Sequence, residues 1–313
     1  MEIVFQFLLL VAGFVLLVKG ADVFVDGAAG IADKFGIPQL VIGLTIVAMG
    51  TSAPEAAVSI TAAFNESADI TIGNVVGSNI LNILVILGLS AVITVVPVQL
   101  STLKYEIPFM TAISVLLLIL GLDGNIALLD GIILIVLFAL FIAYTIRMAM
   151  KEKTQQDEER EEKKFWLLLL MTLGGLACVV LGSNVTVNAA TRIATIFGVS
   201  ERFIGLTIVA LGTSLPELVT SVTAARRGNA DIAIGNIVGS NIFNILFVVG
   251  LTSLVTAVPF QPRFIIDSLV AIGSAVLLFV AVLPKKKINR LAGVIMVAAY
   301  AGYFVYLLSV ASV

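Results

Sequence analysis

The 313-residue chain contains no histidine and only one cysteine, Cys178. A lone cysteine excludes a disulfide framework and a thiolate metal site. Without histidine there is no imidazole base, no imidazole zinc ligand and no side chain that ordinarily titrates near neutral pH. Charge is scarce too: 12% of residues are charged and 60% are hydrophobic, whereas a soluble domain carries about 25% charged residues. A water-soluble fold of this length would leave too much apolar surface exposed. The solvent must therefore be lipid. A spanning helix needs about 20 apolar residues, which leaves room for about ten spans. The net charge of −2 says little about partners; no nucleic acid and no obligatory protein partner is expected. The N-terminal apolar run has no basic leader and no small-residue cleavage site, and reads as the first membrane helix.

What is present is one pattern written twice. Residues 43–59 (GLTIVAMGTSAPEAAVS) and 205–221 (GLTIVALGTSLPELVTS) match at 12 of 17 positions, at an offset of 162. Residues 69–84 (DITIGNVVGSNILNIL) and 231–246 (DIAIGNIVGSNIFNIL) match at 13 of 16, at the same offset. Residues 20–37 and 182–199 align at that offset as well. A constant offset over this range means that one half was duplicated. The expected organisation is a first five-helix repeat at 1–150, a polar linker at 151–163 (Lys151 onward, rich in both signs of charge), and a second five-helix repeat at 164–313. Such a run reads as a solvated linker.

Apolar stretches between polar breaks predict helices at about 2–32, 38–64, 69–94, 103–121 and 125–150, then at about 164–195, 200–225, 231–256, 263–283 and 288–312. With the N-terminus outside, fourteen Lys and Arg residues fall in inside connections. Only Arg192, Arg202 and Arg263 fall outside. That bias supports ten spans with the linker on the cytoplasmic side of the cell membrane. Lys19 remains within a helix, where it can snorkel or pair with Asp22. Because five is odd, the second half enters the membrane from the opposite side. Inverted repeats of this kind build a central site that can face either side in turn. The fold class is thus an all-α membrane protein of ten helices in two inverted five-helix repeats, with discontinuous helices around a central ion site.

The chemistry should lie where charge is expensive. An acidic residue at the centre of a spanning helix costs about 2.5–3.5 kcal/mol on the insertion scale. Glu55 and Glu217 occupy equivalent positions deep in the second and seventh spans, with no clear basic partner. Each follows a proline, Pro54 or Pro216, which removes a backbone bond and pushes away the carbonyl four residues back. Carbonyls freed at membrane depth must be satisfied by something. Helical spacing lets Thr51, Ser52 and Glu55 share a face, and sets Ser78 with Asn82 and Ser240 with Asn244. Asn74, Asn79, Asn236 and Asn241 read equally well as ligands or as packing glue. Gly73, Gly77, Gly235 and Gly239 form Gly-x-x-x-Gly steps that permit close helix approach.

Two carboxylates with hydroxyls, amides and carbonyls make an all-oxygen site suited to hard cations such as Ca2+ and Na+. Their −2 charge is neutralised by one Ca2+ or by two Na+. Uncompensated charge is costly to carry through a dehydrated state, so a protein that changes access only when loaded becomes an exchanger rather than a leak. No cofactor is expected. An enzyme is disfavoured because no nucleophile–base pair or zinc site is visible. A cation channel usually lines one axial pore, which inverted repeats within one chain do not favour.

The paired G-T-S-x-P-E and G-N-x-x-G-S-N-I-x-N motifs resemble the alpha-1 and alpha-2 repeats of the Ca2+/cation antiporter superfamily, in its prokaryotic Na+/Ca2+ exchanger branch. The resemblance covers the whole chain. It implies Na+/Ca2+ antiport by alternating access, with Ca2+ and Na+ as the transported substrates. It also implies that Glu55 and Glu217 are the central Ca2+ ligands and that Thr51 and Thr213 supply backbone carbonyls. Ser52, Ser214, Ser78 and Ser240, with the carbonyls of Ala48 and Ala210, would complete Na+ sites, and Asn82 and Asn244 would lie at the centre. Some relatives carry Asp at the position of Asn244, so this chain has two central acids rather than three. A H+/Ca2+ or K+-dependent antiporter of the same superfamily is the alternative; the H+/Ca2+ members typically have a His in the glycine-asparagine motif, and this chain has none.

Overall fold

The computed structural model describes residues 2–64, 68–151, 164–198 and 210–311. In hydrocarbon every backbone N–H and C=O must be satisfied within the protein, so apolar segments of this kind become helices. The first half comprises α1 (Glu2–Phe35), α2 (Gln39–Thr51), α3 (Ala53–Phe64), α4 (Ile70–Ile93), α5 (Thr102–Gly121) and α6 (Leu128–Lys151). The second comprises α7 (Phe165–Ile196), α8 (Ala210–Thr213), α9 (Leu215–Arg226), α10 (Ala230–Val255), α11 (Arg263–Val282) and α12 (Arg290–Ala311). Eight of these helices are long and apolar enough to cross a membrane, and α2 with α3 forms one further span bent by 48°. In the second half, the described end of the equivalent span shows the same break, with α8 meeting α9 at Ser214. The result is the expected ten-span, inverted-repeat architecture. The linker at 152–163 and the start of the seventh span at 199–209 lie outside the described residues.

Helices α4 and α10 form the centre, and α10 is the most deeply buried of the eight straight spans among the described residues. Helices α1, α6, α7 and α12 are peripheral. They turn large apolar side chains outward, including Leu8, Leu129, Leu170 and Leu291, as a lipid-facing surface requires.

Two short antiparallel pairings tie the halves together. They went unpredicted because each strand is only two residues long. Strand β1 (Val96–Pro97) pairs with β4 (Lys287–Ile288), and β2 (Asn125–Ile126) pairs with β3 (Val258–Pro259). Each pairing joins a strand of one half to a strand of the other, and the two pairings are repeat equivalents.

Close helix contacts follow glycine. In lipid, helices associate by packing and interhelical hydrogen bonds, and small residues allow backbones to approach. Gly13, Gly20 and Gly27 recur every seven residues along α1 and face α7, whose Gly175 and Gly182 face back. A Cβ at Gly182 would sit 2.5 Å from the Leu17 nitrogen, and one at Gly20 would sit 2.7 Å from the Cys178 Cβ. The Gly-x-x-x-Gly steps act unequally. Cβ atoms at Gly235 and Gly239 would strike the backbone of α2, whereas one at Gly77 meets nothing within 4 Å among the described residues.

Candidate ion site

The site forms where the breaks in the two bent spans meet the middles of α4 and α10. The break in the first bent span falls on Ser52 (φ −82°, ψ 4°), and the equivalent break falls on Ser214 (φ −91°, ψ 6°). Pro54 and Pro216 follow within the first turn of α3 and α9, where a missing N–H is tolerated. Each glutamate therefore lies in the first turn of a new helix, Glu55 in α3 and Glu217 in α9, and each is 1% exposed.

The partners of the two glutamates differ from the same-helix expectation. Ser52 donates to Glu217 Oε1 at 2.8 Å, and Ser214 donates to Glu55 Oε1 at 3.2 Å. Each serine serves the carboxylate of the opposite half. The one-residue break turns the hydroxyl away from the face that unbroken helical spacing would assign to it. Thr51 is buried, and its hydroxyl reaches Asn236 Oδ1 at 3.0 Å. Among the described residues no Lys or Arg forms an ion pair with either glutamate.

Asn82 and Asn244 each open a wide π-helical turn, Asn82–Leu87 in α4 and Asn244–Val249 in α10. Such turns occur often at functional sites. The Asn82 turn packs against α9, which carries Glu217, and the Asn244 turn packs against α3, which carries Glu55. Both asparagines are 1% exposed. Ser240 donates to the Ala48 carbonyl at 3.4 Å, bringing those two positions together. Ser78 is buried one turn before Asn82, Thr213 closes α8 half-buried, and Ala210 opens α8.

Four buried oxygens in this region have no hydrogen-bond partner among the described residues: Glu55 Oε2, Glu217 Oε2, Asn82 Oδ1 and Asn244 Oδ1. They are two pairs of repeat equivalents. Buried polar groups are nearly always paired, and leaving one unpaired costs about 1–3 kcal/mol, more for a charged group. A cation is the partner these acceptors suit, since none of the four can donate when the glutamates are ionised.

Other polar residues of the region act as braces. Asn74 donates to the Glu55 carbonyl at 3.2 Å and to Ser59 Oγ at 3.0 Å, and Asn236 donates to Ser221 Oγ at 2.8 Å. Asn79 and Asn241 bond both to each other's backbone and to the outer asparagines. These bonds cross between the halves, so spacing along either helix does not reveal them. Lys19 is 4.0 Å from Asp22, with its side chain 77% exposed. Asp22 and Asp26 instead hold Arg227, just beyond the end of α9, a long-range pairing that spacing along the chain does not reveal.

The two halves are not in the same state. Leu17 and Ala21 of α1 and Val179 of α7 pack together, with Leu215 and Val219 of α9 against them. Leu215 and Val219 are half-buried and Thr223 is buried, whereas their equivalents Ala53, Ala57 and Thr61 on α3 are exposed. Helix α1 covers α9, and the equivalent face of α3 is open.

Comparison with known proteins agrees over the full length. The family described as sodium/calcium exchanger protein matches residues 5–147 and again 167–309. The inner membrane protein YrbG of Escherichia coli is 38% identical over 81% of this chain and 81% of its own. The sodium/calcium exchanger MaX1 of Methanosarcina acetivorans is 32% identical, covering 96% of this chain and 98% of its own. A solved structure of the sodium-calcium exchanger NCX_Mj, soaked with zero Na+ and Ca2+, superposes with a TM-score of 0.85 at 33% identity. It covers 98% of this chain and 99% of that one.

Proposed function

The chain belongs to the sodium/calcium exchanger protein family, and from that premise we propose that Glu55 and Glu217 hold the ions it exchanges. The protein is a multi-span membrane antiporter that moves Ca2+ against Na+ by alternating access; it is neither a channel nor an enzyme. The observation that carries the site assignment is the set of four unpartnered buried oxygens, two from carboxylates and two from amides. They are hard donors, and Ca2+ accepts six to eight such oxygens at flexible geometry.

In this reading Glu55, Glu217, Asn82 and Asn244, with the carbonyls of Thr51 and Thr213, would hold Ca2+. The hydroxyls of Ser52, Ser214, Ser78 and Ser240 and the carbonyls of Ala48 and Ala210 serve Na+. Ser52 and Ser214 donate to the glutamates here, and their hydroxyl oxygens would be free to accept a Na+ held beside them. Either load cancels the −2 charge, so the loaded site crosses the dehydrated intermediate more readily than the bare one. That inequality couples the two fluxes.

Residues 1–150 and 164–313 then act as two inverted units joined by a cytoplasmic linker at 151–163, with the N-terminus outside. The asymmetric cover of α1 on α9 corresponds to a state open on the α3 side, which is the outer side in this orientation. Purified protein in lipid vesicles tests the function. Labelled Ca2+ should accumulate when Na+ is loaded inside, and should do so without added K+. Uptake driven only by an H+ gradient, or uptake without any counter-ion, would overturn the reading.

A further inference from the structure

Four asparagines meet where α4 crosses α10, and their hydrogen bonds form a closed, two-fold pattern. Asn79 Nδ2 donates to the Asn241 carbonyl at 3.2 Å, and Asn241 Nδ2 donates to the Asn79 carbonyl at 3.2 Å. Asn82 Nδ2 donates to Asn241 Oδ1 at 2.9 Å, and Asn244 Nδ2 donates to Asn79 Oδ1 at 3.2 Å. Asn79 is 3% exposed and Asn241 1%.

This pattern has only one self-consistent polarity. A backbone carbonyl can accept but never donate. The carbonyls of Asn79 and Asn241 therefore require the amide nitrogens of the two inner asparagines. Each inner Oδ1 must then face outward, toward Asn244 or Asn82. An acceptor there requires the nitrogen of the outer amide. The outer Oδ1 atoms of Asn82 and Asn244 are left as the free ends of the two chains, and these are two of the unpartnered oxygens of the site. Flipping any one amide would set oxygen against oxygen.

We infer that Asn79 and Asn241 are positioning residues, which fix the amides of Asn244 and Asn82 so that oxygen rather than nitrogen is offered to the cation. The inference rests on the reading of Asn82 and Asn244 as ligands. The bracing crosses the halves, because Asn79 of the first repeat sets Asn244 of the second and Asn241 sets Asn82. Both ligand amides are thereby pre-oriented before an ion arrives, and a first shell held by a supporting shell binds more tightly than a free one.

A double-mutant cycle in vesicles tests this. Asn79→Ala should raise the Ca2+ KM of Na+-driven uptake by about tenfold, the scale of one lost buried hydrogen bond. In an Asn244→Ala background the same change should have an effect of about twofold or less, because the group it acts through is gone. Asn241→Ala should behave likewise against Asn82→Ala. An equal multiplication of KM in both backgrounds would make Asn79 simple packing glue and overturn the proposal, as would an unchanged KM. A normal KM in Asn244→Ala itself would instead remove the ligand assignment. Should the alanine variants fail to fold, Asn79→Ser with Asn244→Ser carries the same cycle, because serine keeps a polar group in the helix but is too short to hold the partner amide. A rise in KM for Asn79→Ser that is lost in the Asn244→Ser background supports the proposal, and an equal rise in both backgrounds overturns it.

Discussion

Ser52 of the first half donates its hydroxyl to Glu217 of the second, at 2.8 Å, across the centre of the molecule. Ser214 returns the bond to Glu55 at 3.2 Å. The crossing makes the site a joint product of both halves. Hydrogen bonds to charged groups contribute about 1.5–3 kcal/mol. Ser52→Ala is therefore expected to alter the apparent ion affinities of Glu217 by about tenfold to a hundredfold. Half-saturation for Na+ and for Ca2+ in exchange assays checks this. On the proposal that Ser52 is a Na+ ligand, the larger change falls on the Na+ side.

Glu55→Gln and Glu217→Gln keep the shape of the side chain and remove the charge. Each is expected to abolish Na+-driven Ca2+ uptake. Each should also remove stabilisation by Ca2+ in detergent. A ligand at a hundredfold excess over its Kd stabilises the folded state by about 2.7 kcal/mol, so the natural protein should show a clear rise in Tm on adding Ca2+. A similar Ca2+-dependent rise in either variant would contradict the site.

The seam between α1 and α7 makes a contrasting pair of predictions. A Cβ at Gly182 would press on the backbone of α1, at 2.5 Å from the Leu17 nitrogen, while one at Gly174 meets nothing within 4 Å among the described residues. Gly182→Ala should lower Tm and transport together by separating the two helices. Gly174→Ala should leave both intact or raise Tm slightly, since alanine is the better helix former by about 1 kcal/mol. Thermal unfolding in detergent distinguishes them.

Access can be read with thiols. In a Cys178→Ser background, Ala53→Cys on the open face should react quickly with a polar thiol reagent, and Leu215→Cys, covered by α1, slowly. Arg227 ties the end of α9 to Asp22 and Asp26 of α1. Adding Arg227→Ala should speed labelling at position 215 while leaving position 53 unchanged or slower. Partly exposed ion pairs contribute little to overall stability, so Tm should move by only a degree or two. Unaltered labelling at 215 would mean that apolar packing alone keeps that face closed.

Much of the architecture was readable because lipid imposes few choices. A long apolar run must be helical, and a carboxylate inside one must have a reason. Glu55 and Glu217 stood out on those grounds, and their doubling at one offset removed the chance of coincidence. Ten spans and an odd number per half followed from segment lengths. Helical spacing lets Ser52 share a face with Glu55, but it assumes an unbroken helix; the break falls on Ser52 itself, and its hydroxyl meets Glu217 instead. The π-helical turns at Asn82 and Asn244 were invisible, since their residues look like any other helical run.

Covalent order alone therefore dictated which segments are long and apolar enough to enter the membrane, that Glu55 and Glu217 lie within them, and that the molecule is two copies of one unit. Those features depend on hydrophobicity and local spacing, which a linear chain carries in full. Folding in three dimensions decided the pairings: which serine meets which glutamate, which way each amide points, and which of the equivalent faces of α9 and α3 is covered. These depend on groups about 160 residues apart meeting at hydrogen-bond distance, and on a choice between two near-symmetric arrangements. The repeat makes those arrangements alike in sequence, and packing distinguishes them.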